Sequence, residues 1–254
     1  MCIRDSTYTV DDGNSGTDTG TVNITISSAN DAPIIGGGPD SAALTESNAS
    51  LTDTGDFNVS DADLADSVTA MVDSVVVDDT GVASVPASLD NATLTGFLSV
   101  SPTVVLDNTE TSNTLTWNFN SGSETFDFLA IGETLILTYT VSVTDDATPL
   151  SDAETVTVTI TGTNDGPVAQ IATNVAVEDG AVINGTLANT DVDAIDTHTY
   201  SLINGTAKGT ATVQGNGNYS FDPGADFQDL ALGESRDVTF TYEVEDNNLS
   251  LIHI

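Results

Sequence analysis

Alternation of apolar and polar residues is the main pattern of this chain. Every second residue of 21–26 and of 155–161 is Val or Ile, with Thr or Asn between them. A period of two residues places one face of a strand in a core and the other face in water. No segment keeps a helical period over several turns. The pattern therefore predicts many short antiparallel strands arranged in sandwiches.

Short strand motifs recur along the chain and indicate repeated modules. The sequence Thr-Tyr-Thr-Val occurs at 7–10 and again at 138–141, and 239–244 is related to it. Between two further alternating segments, Gly215–Gly217 is typical of a hairpin turn. The predicted fold class is all-β, with tandem antiparallel β-sandwich modules.

An acidic phrase, Asp-x-Asp-x-x-Asp, occurs twice, at 61–66 and 191–196. Each copy is preceded by a glutamate and, further upstream, by Asn-Asp-x-Pro; these are Glu46 and 30–33 for the first copy, and Glu178 and 164–167 for the second. A pattern that returns in the same order indicates tandem modules. Carboxylates clustered at module joints point to cations bound between neighbouring modules.

An internal alignment predicts the module boundaries. Residues 126–133 match 227–234 at an offset of 101, whereas the acidic phrases lie 130 residues apart. The middle copy therefore carries 29 more residues between its acidic phrase and residue 126. We predict the end of a first module at 7–33, a complete module with this insertion at 34–167, and a module that stops before its last strand at 168–248.

The first and last six residues resemble a sequencing adapter. Back-translation and reverse complementation of 249–254 gives codons for Met-Cys-Ile-Arg-Asp, which opens the chain. This is similar to the transposon mosaic end used in library preparation. We therefore expect 1–6 and 249–254 to be artefacts, Cys2 and His253 to carry no chemistry, and 7–248 to be a fragment of a longer metagenomic gene.

The chain is strongly acidic, with a net charge of −36. Outside the terminal hexapeptides, Lys208 and Arg236 are its only basic residues. Such a charge excludes nucleic acid as a partner and disfavours anionic membrane surfaces. The sequence also has no disulfide framework and no apolar run of membrane-spanning length. Self-repulsion on this scale destabilises a compact state unless cations neutralise it.

The middle module resembles the VCBS repeat. Order and spacing agree over Leu115–Phe119, Glu124–Thr134, Leu137–Val141 and Val156–Asp165. VCBS repeats occur in very large bacterial surface and secreted proteins, including RTX-type adhesins exported by type I secretion. The resemblance implies an Ig-like or cadherin-like β-sandwich in an extracellular or cell-surface location.

A weaker similarity links the chain to cadherin repeats, through Val175–Glu178 and the later Asp191-Val-Asp193. It implies calcium ligands at two joints: Asn30, Asp31, Asp61 and Asp63 at the first, and Glu46, Glu133, Asn164, Asp165, Asp191 and Asp193 at the second. The acidic residue that cadherins place just before the linker is Gly162 here and Ser28 in the first copy. This departure leaves the number of ions per joint open.

Calcium suits these residues because it accepts about six to eight oxygen ligands in adaptable geometry. Magnesium requires stricter octahedral geometry, and zinc is disfavoured because the chain outside the terminal hexapeptides has no Cys and a single His. The alternative interpretation is a salt-adapted surface whose aspartates form turns. For Asp66 and Asp196 a turn or a supporting role is favoured.

Enzymatic chemistry is not indicated. His198 lies in an alternating segment, and no nucleophile and base can be paired with it. The aromatic residues of the middle module alternate at strand spacing, which predicts a core and not a sugar-stacking platform. These residues are Trp117, Phe119, Phe126 and Phe128.

The sequence thus predicts a non-enzymatic, calcium-stiffened stalk segment of a bacterial surface or secreted adhesin. Its expected partners are calcium ions and neighbouring repeats, with host or surface glycans and proteins contacting other parts of the parent protein. We expect the segment itself to be monomeric and not inserted in a membrane. One alternative is a carbohydrate- or protein-binding module formed by the insertion; the other is an accessory region of a secreted hydrolase.

Overall fold

The computed structural model describes residues 3–147, 149–248 and 251–253. Strands dominate the described part of the chain, which contains a single short α-helix. The strands form sheets that are almost entirely antiparallel. The predicted all-β class with antiparallel sandwich modules is therefore confirmed.

The first element is a two-stranded hairpin of β1 (Ile3–Asp11) and β2 (Thr17–Thr25). Asp12 forms its turn, because its carboxylate accepts hydrogen bonds from the backbone N–H groups of Asn14 and Gly16 at 2.8 and 2.9 Å. In this hairpin the side chains of Tyr8, Val10, Val22 and Ile24 are exposed.

The middle module contains nine strands and one helix in chain order. They are β3 (Ile34–Gly36), β4 (Asp40–Thr45), β5 (Thr52–Ser60), β6 (Val68–Asp78), α1 (Asn91–Thr95), β7 (Leu98–Ser101), β8 (Val104–Leu106), β9 (Ser112–Asn120), β10 (Thr134–Asp145) and β11 (Ser151–Thr161). One sheet has the order β3-β5-β9-β7 and the other β4-β11-β10-β6-β8. The strand pair β4 and β11 is parallel, and the others are antiparallel.

The core of the middle module lies between these two sheets. Strand β10 shows how the alternation builds it, because Leu135, Leu137, Tyr139, Val141 and Val143 are all fully buried. The residues between them, which are Thr or Ser except for Ile136, are half-buried. The fully apolar face is thus turned toward the facing sheet, as the period of two predicts.

The aromatic residues of the middle module lie in this core, as predicted. Trp117 is 1% exposed, Phe119 and Phe126 are fully buried, and Phe128 packs against them partly buried. Phe97, from the insertion, makes edge-to-face contacts with Phe119 and Phe126. The insertion therefore contributes to the core and presents no aromatic platform on the surface.

Seven shorter strands lie in the last module, and an eighth lies in the terminal hexapeptide 249–254. They are β12 (Val168–Ala169), β13 (Ile183–Thr186), β14 (Asn189–Thr190), β15 (His198–Asn204), β16 (Thr210–Val213), β17 (Asn218–Asp222), β18 (Thr241–Asp246) and β19 (Leu251–His253). The pairings are β12-β14, β13-β17-β16 and β15-β18-β19. The predicted turn Gly215–Gly217 connects β16 and β17, which confirms the hairpin.

The buried apolar clusters are separate for the two modules. Those of the middle module run from Ile35 to Ile160, and those of the last module from Ala169 to Val244. This separation agrees with the predicted boundaries at 34–167 and 168–248, which stay predictions, as do 7–33 and the terminal hexapeptides. Residues 1, 2, 148, 249, 250 and 254 lie outside the described part of the chain.

Candidate metal centres at the module joints

At the first joint, the acidic loop 61–66 folds around its own backbone. The carboxylate of Asp61 accepts a hydrogen bond from the backbone N–H of Asp63 at 2.9 Å, and the N–H of Asp66 donates to the carbonyl of Asp63 at 3.0 Å. These turns bring one carboxylate oxygen of each of the three aspartates within 4.8 Å of the others. Local Asx turns therefore converge the negative charges on one point.

The linker that enters the middle module is tied to this loop. The backbone N–H of Asp31 donates to Oδ2 of Asp63 at 2.7 Å. The side chain of Asn30 donates to Oδ2 of Asp145, at the end of β10, at 3.1 Å. The linker thus contacts the end of the middle module at two different carboxylates.

The second joint contains two acidic clusters. The first joins Glu46, Asp127 and Asp165, and lies at the end of the middle module. Glu46 follows β4, where its Oε1 accepts hydrogen bonds from the backbone N–H of Thr163 at 2.7 Å and from the Thr163 hydroxyl. The parallel β4-β11 pair therefore delivers Glu46 to the linker.

The second cluster joins Asp191, Asp196 and Asp246 of the last module. Its loop repeats the turns of the first joint: the N–H of Asp193 donates to Oδ1 of Asp191 at 3.0 Å, and the N–H of Asp196 donates to the carbonyl of Asp193 at 3.0 Å. His198 lies beside it, with Nε2 at 2.7 Å from Oδ2 of Asp191.

The linker contacts of the second joint also match those of the first. The N–H of Asp165 donates to Oδ2 of Asp193 at 2.8 Å, as that of Asp31 does to Asp63. The side chain of Asn164 donates to Oδ2 of Asp246 at 2.9 Å, as that of Asn30 does to Asp145. The two joints thus share one geometry, reached by loops of different sequence.

Several carboxylate oxygens at the joints are buried without a hydrogen-bond partner among the described residues. They are Asp61 Oδ2, Asp66 Oδ2, Asp127 Oδ1, Asp145 Oδ1, Asp165 Oδ2 and Asp193 Oδ1. Asp193 is only 1% exposed and Asp61 5%. A buried ionised oxygen without a partner is costly, so oxygens repeatedly left in this state at a shared point fit a cation. The donor set is all oxygen, which matches calcium.

The pKa values of three carboxyl groups at the joints are raised by burial and by neighbouring negative charges. Burial, and next the charges of neighbouring aspartates, raise the pKa of the Asp193 carboxyl to about 6. Burial also raises the pKa of Asp66, where Asp63 and Asp61 add to the effect, and that of Asp165, where Glu46 adds to it. Without a cation, these three carboxyl groups therefore bind protons more readily than ordinary aspartates do.

Glu133, the remaining predicted ligand, is placed outside the clusters. Its Oε1 accepts a hydrogen bond from the N–H of Ala83 in the insertion at 2.7 Å, and its Oε2 accepts one from Ala130 at 3.1 Å. In the last module, Glu234 accepts from the N–H of Ala231 in the same way at 3.0 Å. This glutamate stabilises a turn in both modules, and the shared spacing of three residues was the available signal.

Steric hindrance explains why position 162 is a glycine and not the acidic residue of the cadherin pattern. A Cβ at this position would overlap the carbonyl oxygens of Leu129 and Ala130. The turn capped by Glu133 therefore leaves no room for the acidic side chain that the cadherin pattern has before the linker.

Sequence reasoning missed Asp127, Asp145 and Asp246 at the joints. Asp145 and Asp246 both end the strand that carries the Thr-Tyr-Thr-Val motif or its relative, at the same offset of 101 as the matching loops. The recurrence of an aspartate at this offset could have identified Asp145 and Asp246 from the sequence alone. Asp66 and Asp196, interpreted as turn residues, are members of the clusters as well.

Comparison with known proteins agrees with this fold. Residues 164–252 match the family model of the bacterial cadherin-like domain. Among solved structures, the extracellular cadherin domains 1–5 of protocadherin gamma B2 give a TM-score of 0.50 at 14% identity, covering 98% of this chain and 44% of that one. The protocadherin gamma B4 extracellular domain gives 0.43 at 14% identity, covering 91% and 34%. No curated protein matches the sequence.

The family-model match over 164–252 and the likeness to protocadherin gamma B2 support a cadherin-like fold, and a cadherin-like domain suggests an adhesion-type repeat module. The chain spans less than half the length of the two protocadherin structures. In the described residues, no helix has the length and apolar character needed to cross a bilayer. The finer resemblance to VCBS repeats of RTX-type adhesins stays a prediction.

Proposed function

We propose that this chain is a structural segment of a bacterial surface or secreted adhesin, in which calcium ions bridge consecutive β-sandwich modules. The observation that carries the proposal is the recurrence of linker-to-loop contacts with unpartnered carboxylates. Asp31 with Asp63 and Asp165 with Asp193 join the linker to the next module at both joints. The cadherin-like fold supports an extracellular location.

The ligands that we assign to the first joint come from its linker and from the module after it. They are Asn30, Asp31, Asp61, Asp63, Asp66 and Asp145. At the second joint the ligands come from both modules and from the linker: Glu46, Asp127, Asn164, Asp165, Asp191, Asp193, Asp196 and Asp246. Glu133 is left out of this set because backbone N–H groups occupy both of its carboxylate oxygens.

The second joint has room for two ions. Its two clusters are formed by different residues, one at the end of the middle module and one in the last module. Asp165 belongs to the first cluster by its carboxylate, and its backbone N–H donates to Asp193, in the loop that carries Asp191 and Asp196 of the second cluster. An ion in either cluster would therefore also restrict the linker.

Stiffening follows from electrostatics. Without a cation, carboxylates of neighbouring modules repel one another across a short linker, since the whole chain carries a net charge of −36. A divalent cation that shares oxygens from both sides removes this repulsion and the freedom of the linker. Because bacterial cytoplasm holds little free calcium, export of such a chain would couple secretion to stiffening.

The competing functions receive less support. A binding module formed by the insertion would expose aromatic residues there, but Trp117 and Phe119 are buried and Phe97 packs against Phe119. The other alternative, an accessory region of a secreted hydrolase, depends on catalytic residues in other parts of the parent protein.

Calcium titration by calorimetry tests the proposal. We compare the wild-type chain with Asp63→Asn at the first joint, Asp193→Asn at the second, and the exposed Asp237→Asn as a charge-matched control. Each joint variant should lose part of the binding stoichiometry, and the control none. Equal stoichiometry in all four chains, or no binding, would contradict the proposal.

Small-angle scattering tests the mechanical part. With calcium, the radius of gyration should become independent of salt, and in chelator it should vary with salt because repulsion sets the linker angles. Magnesium at the same concentration should reproduce the calcium result poorly. An identical profile in calcium and chelator would leave bound ions without a stiffening role.

A further inference from the structure

A cavity of about 480 Å³ lies on the last module and shares no residue with the two joints. This volume is within the range of roughly 300–1,000 Å³ that is usual for small-molecule sites. Most of its lining side chains are polar and uncharged. They are Asn184, Thr186, Gln214, Asn218 and Ser220.

The strand register places these five side chains on one face of the β13-β17-β16 sheet. Asn184 lies opposite Ser220, and Thr186 lies opposite Asn218. Gln214 follows β16 directly, and its N–H donates to the carbonyl of Asn218 at 2.8 Å. The intervening positions of β17 are buried in the core, because side chains alternate along a strand. The cavity thus lies on the outer face of the sheet and is lined by amide and hydroxyl groups.

The amide side chains on this face have unused hydrogen-bonding groups. In the described part of the chain, the side chains of Asn184 and Gln214 make no hydrogen bond. Oδ1 of Asn218 accepts a hydrogen bond from the Thr186 hydroxyl at 3.3 Å, and its Nδ2 has no acceptor among the described residues. Each amide offers both a donor and an acceptor, so a ligand hydroxyl can replace the water that would otherwise bind there.

The middle module has the same backbone arrangement at the corresponding place. In its sheet β3-β5-β9-β7, Gly55 lies opposite Trp117, as Gly185 lies opposite Tyr219 in the last module. A Cβ on either glycine would come within 2.7 Å of the opposite ring. The two glycine–aromatic pairs therefore mark equivalent positions in the two modules.

The residue pairs next to these glycines differ in charge. In the middle module the pair is Asp56 with Thr116, whose hydroxyl donates to Oδ1 of Asp56 at 2.6 Å. In the last module the pair is Thr186 with Asn218, joined by the longer hydrogen bond of 3.3 Å. The middle module thus carries a carboxylate that its own sheet partners, whereas the last module carries a neutral amide with an unused NH2 group.

The chemistry of the lining restricts the class of ligand. A chain with a net charge of −36 repels anionic ligands, and a cationic ligand would bind the carboxylates elsewhere rather than a cavity lined by neutral groups. An apolar ligand would remove the amides from water without replacing their hydrogen bonds, which is costly. A peptide strand cannot extend the sheet at β17, because β17 is paired on both sides. A neutral ligand with many hydroxyl groups meets none of these obstacles.

We propose that this face binds a neutral carbohydrate, whose hydroxyl groups hydrogen-bond to the side-chain amides of Asn184, Gln214 and Asn218. Neighbouring strands lie about 4.8 Å apart, a distance similar to the length of one sugar residue. An extended saccharide that crosses β13, β17 and the end of β16 would therefore place a sugar residue over each strand. The site lies outside the insertion of the middle module, and it goes beyond calcium bridging because it uses no ligand of the joints.

Affinity electrophoresis tests the proposal, because a polysaccharide dissolved in a native gel retards a chain that binds it even weakly. The neutral probes are galactomannan, xyloglucan and dextran, and hyaluronan is the uronate-containing probe. Mobility is compared with that in a polymer-free gel of the same buffer. At least one neutral polymer should retard the wild type, and hyaluronan should not. The retardation should be the same in calcium and in chelator, so a failure of calcium bridging would not affect it.

Variants assign the binding to this face. Gln214→Ala removes one amide and should weaken binding about threefold to tenfold. The double variant Thr186→Asp with Asn218→Thr copies the residue pair of the middle module, so the sheet accommodates it, and it should abolish the retardation. Thr239→Asp adds the same charge at an exposed position of the last module and should be retarded as the wild type is. Urea unfolding checks that each variant is folded.

Two outcomes of the electrophoresis would overturn the proposal. One is a wild type that no neutral polymer retards. The other is a double variant that is retarded as strongly as the wild type, which would place the binding elsewhere on the chain.

Nuclear magnetic resonance provides a second measurement that does not depend on the folding of a variant. The nitrogen-15-labelled wild type is titrated with oligosaccharides cut from the retarding polymer. The side-chain NH2 signals of Asn184, Gln214 and Asn218 should shift. That of Asn113, which donates to the carbonyl of Val105 in the middle module, should stay in place. Unshifted signals of the three cavity amides would also overturn the proposal.

Discussion

The backbone N–H of Asp165 donates a hydrogen bond of 2.8 Å to Oδ2 of Asp193, which leaves Oδ1 of Asp193 buried without a partner among the described residues. This contact fixes the linker against the last module and at the same time isolates one carboxylate oxygen from water. The first joint repeats the contact between Asp31 and Asp63. Because this oxygen is buried without a partner, substitution of Asp193 should change the stability of the chain.

Asp193→Asn should stabilise the chain in chelator and reduce the further stabilisation that calcium provides. In chelator, removal of a buried charge should raise stability by about 1–3 kcal/mol, because the uncompensated oxygen is costly. In calcium, the variant should gain less stability than the wild type on adding the ion. Thermal unfolding in both conditions measures the difference, with Asp237→Asn as the control. A variant less stable than the wild type in chelator would contradict the prediction.

The pH dependence should also differ between the two conditions. The pKa of Asp193 is about 6 in the folded chain, above its ordinary value of 3.8. Between these values the folded chain binds a proton that the unfolded chain releases, so stability in chelator should rise as pH falls from 7 to about 4. Calcium affinity should fall over the same range, because protons compete for the carboxylate.

Melting temperature and calcium titration across this range check both directions. The difference between wild type and Asp193→Asn isolates the Asp193 contribution from the general relief of repulsion at acid pH. If the two chains share one pH profile in chelator, Asp193 does not titrate as stated.

Glu133→Gln should destabilise the middle module without changing calcium binding. The glutamine has one acceptor oxygen, so one of the two backbone donors, Ala83 or Ala130, loses its partner. We expect a loss of roughly 1–3 kcal/mol in urea unfolding. Glu234→Gln is the matched control, since Glu234 is exposed and accepts one backbone hydrogen bond. A reduced calcium stoichiometry for Glu133→Gln would return Glu133 to the ligand set.

Gly162→Asp and Ser28→Asp introduce the same acidic residue before the two linkers. The Cβ at Gly162 overlaps the carbonyl oxygens of Leu129 and Ala130, so this variant should lose roughly 1–3 kcal/mol. Ser28 is exposed, so its variant should unfold as the wild type does. Equal stability of the two variants in urea would mean that the turn at Leu129 yields without cost.

The fold could be predicted because alternation and turns are local features of the sequence, and because the repeat offsets can be counted directly along it. The alternating residues of β10 and β11 and the hairpin at Gly215–Gly217 are found where the pattern places them. The joints were predictable only as far as residues recur in the linker and in the acidic loop. Asp127 joins Glu46 and Asp165 through the folding of a distant turn, which no spacing along the chain specifies.

Only part of the role of Glu133 could be predicted, namely the turn in which it accepts from the N–H of Ala130, three residues before it. Its second hydrogen bond comes from Ala83, in an insertion whose path across the module depends on tertiary packing. The unpartnered oxygens are likewise a property of burial in three dimensions. The sequence predicts which carboxylates approach a joint, whereas the fold decides which of them lose their contact with water.

The most direct test of calcium bridging between the modules is a crystal structure of the calcium-saturated chain, with anomalous scattering measured at long wavelength. Calcium peaks should lie among Asp61, Asp63 and Asp66 at the first joint. At the second joint they should lie in the two acidic clusters, one with Glu46, Asp127 and Asp165 and one with Asp191, Asp196 and Asp246. Ligand distances should be about 2.3–2.6 Å, with oxygens from both sides of the second linker. Saturated crystals without anomalous density at either joint would contradict calcium bridging between the modules.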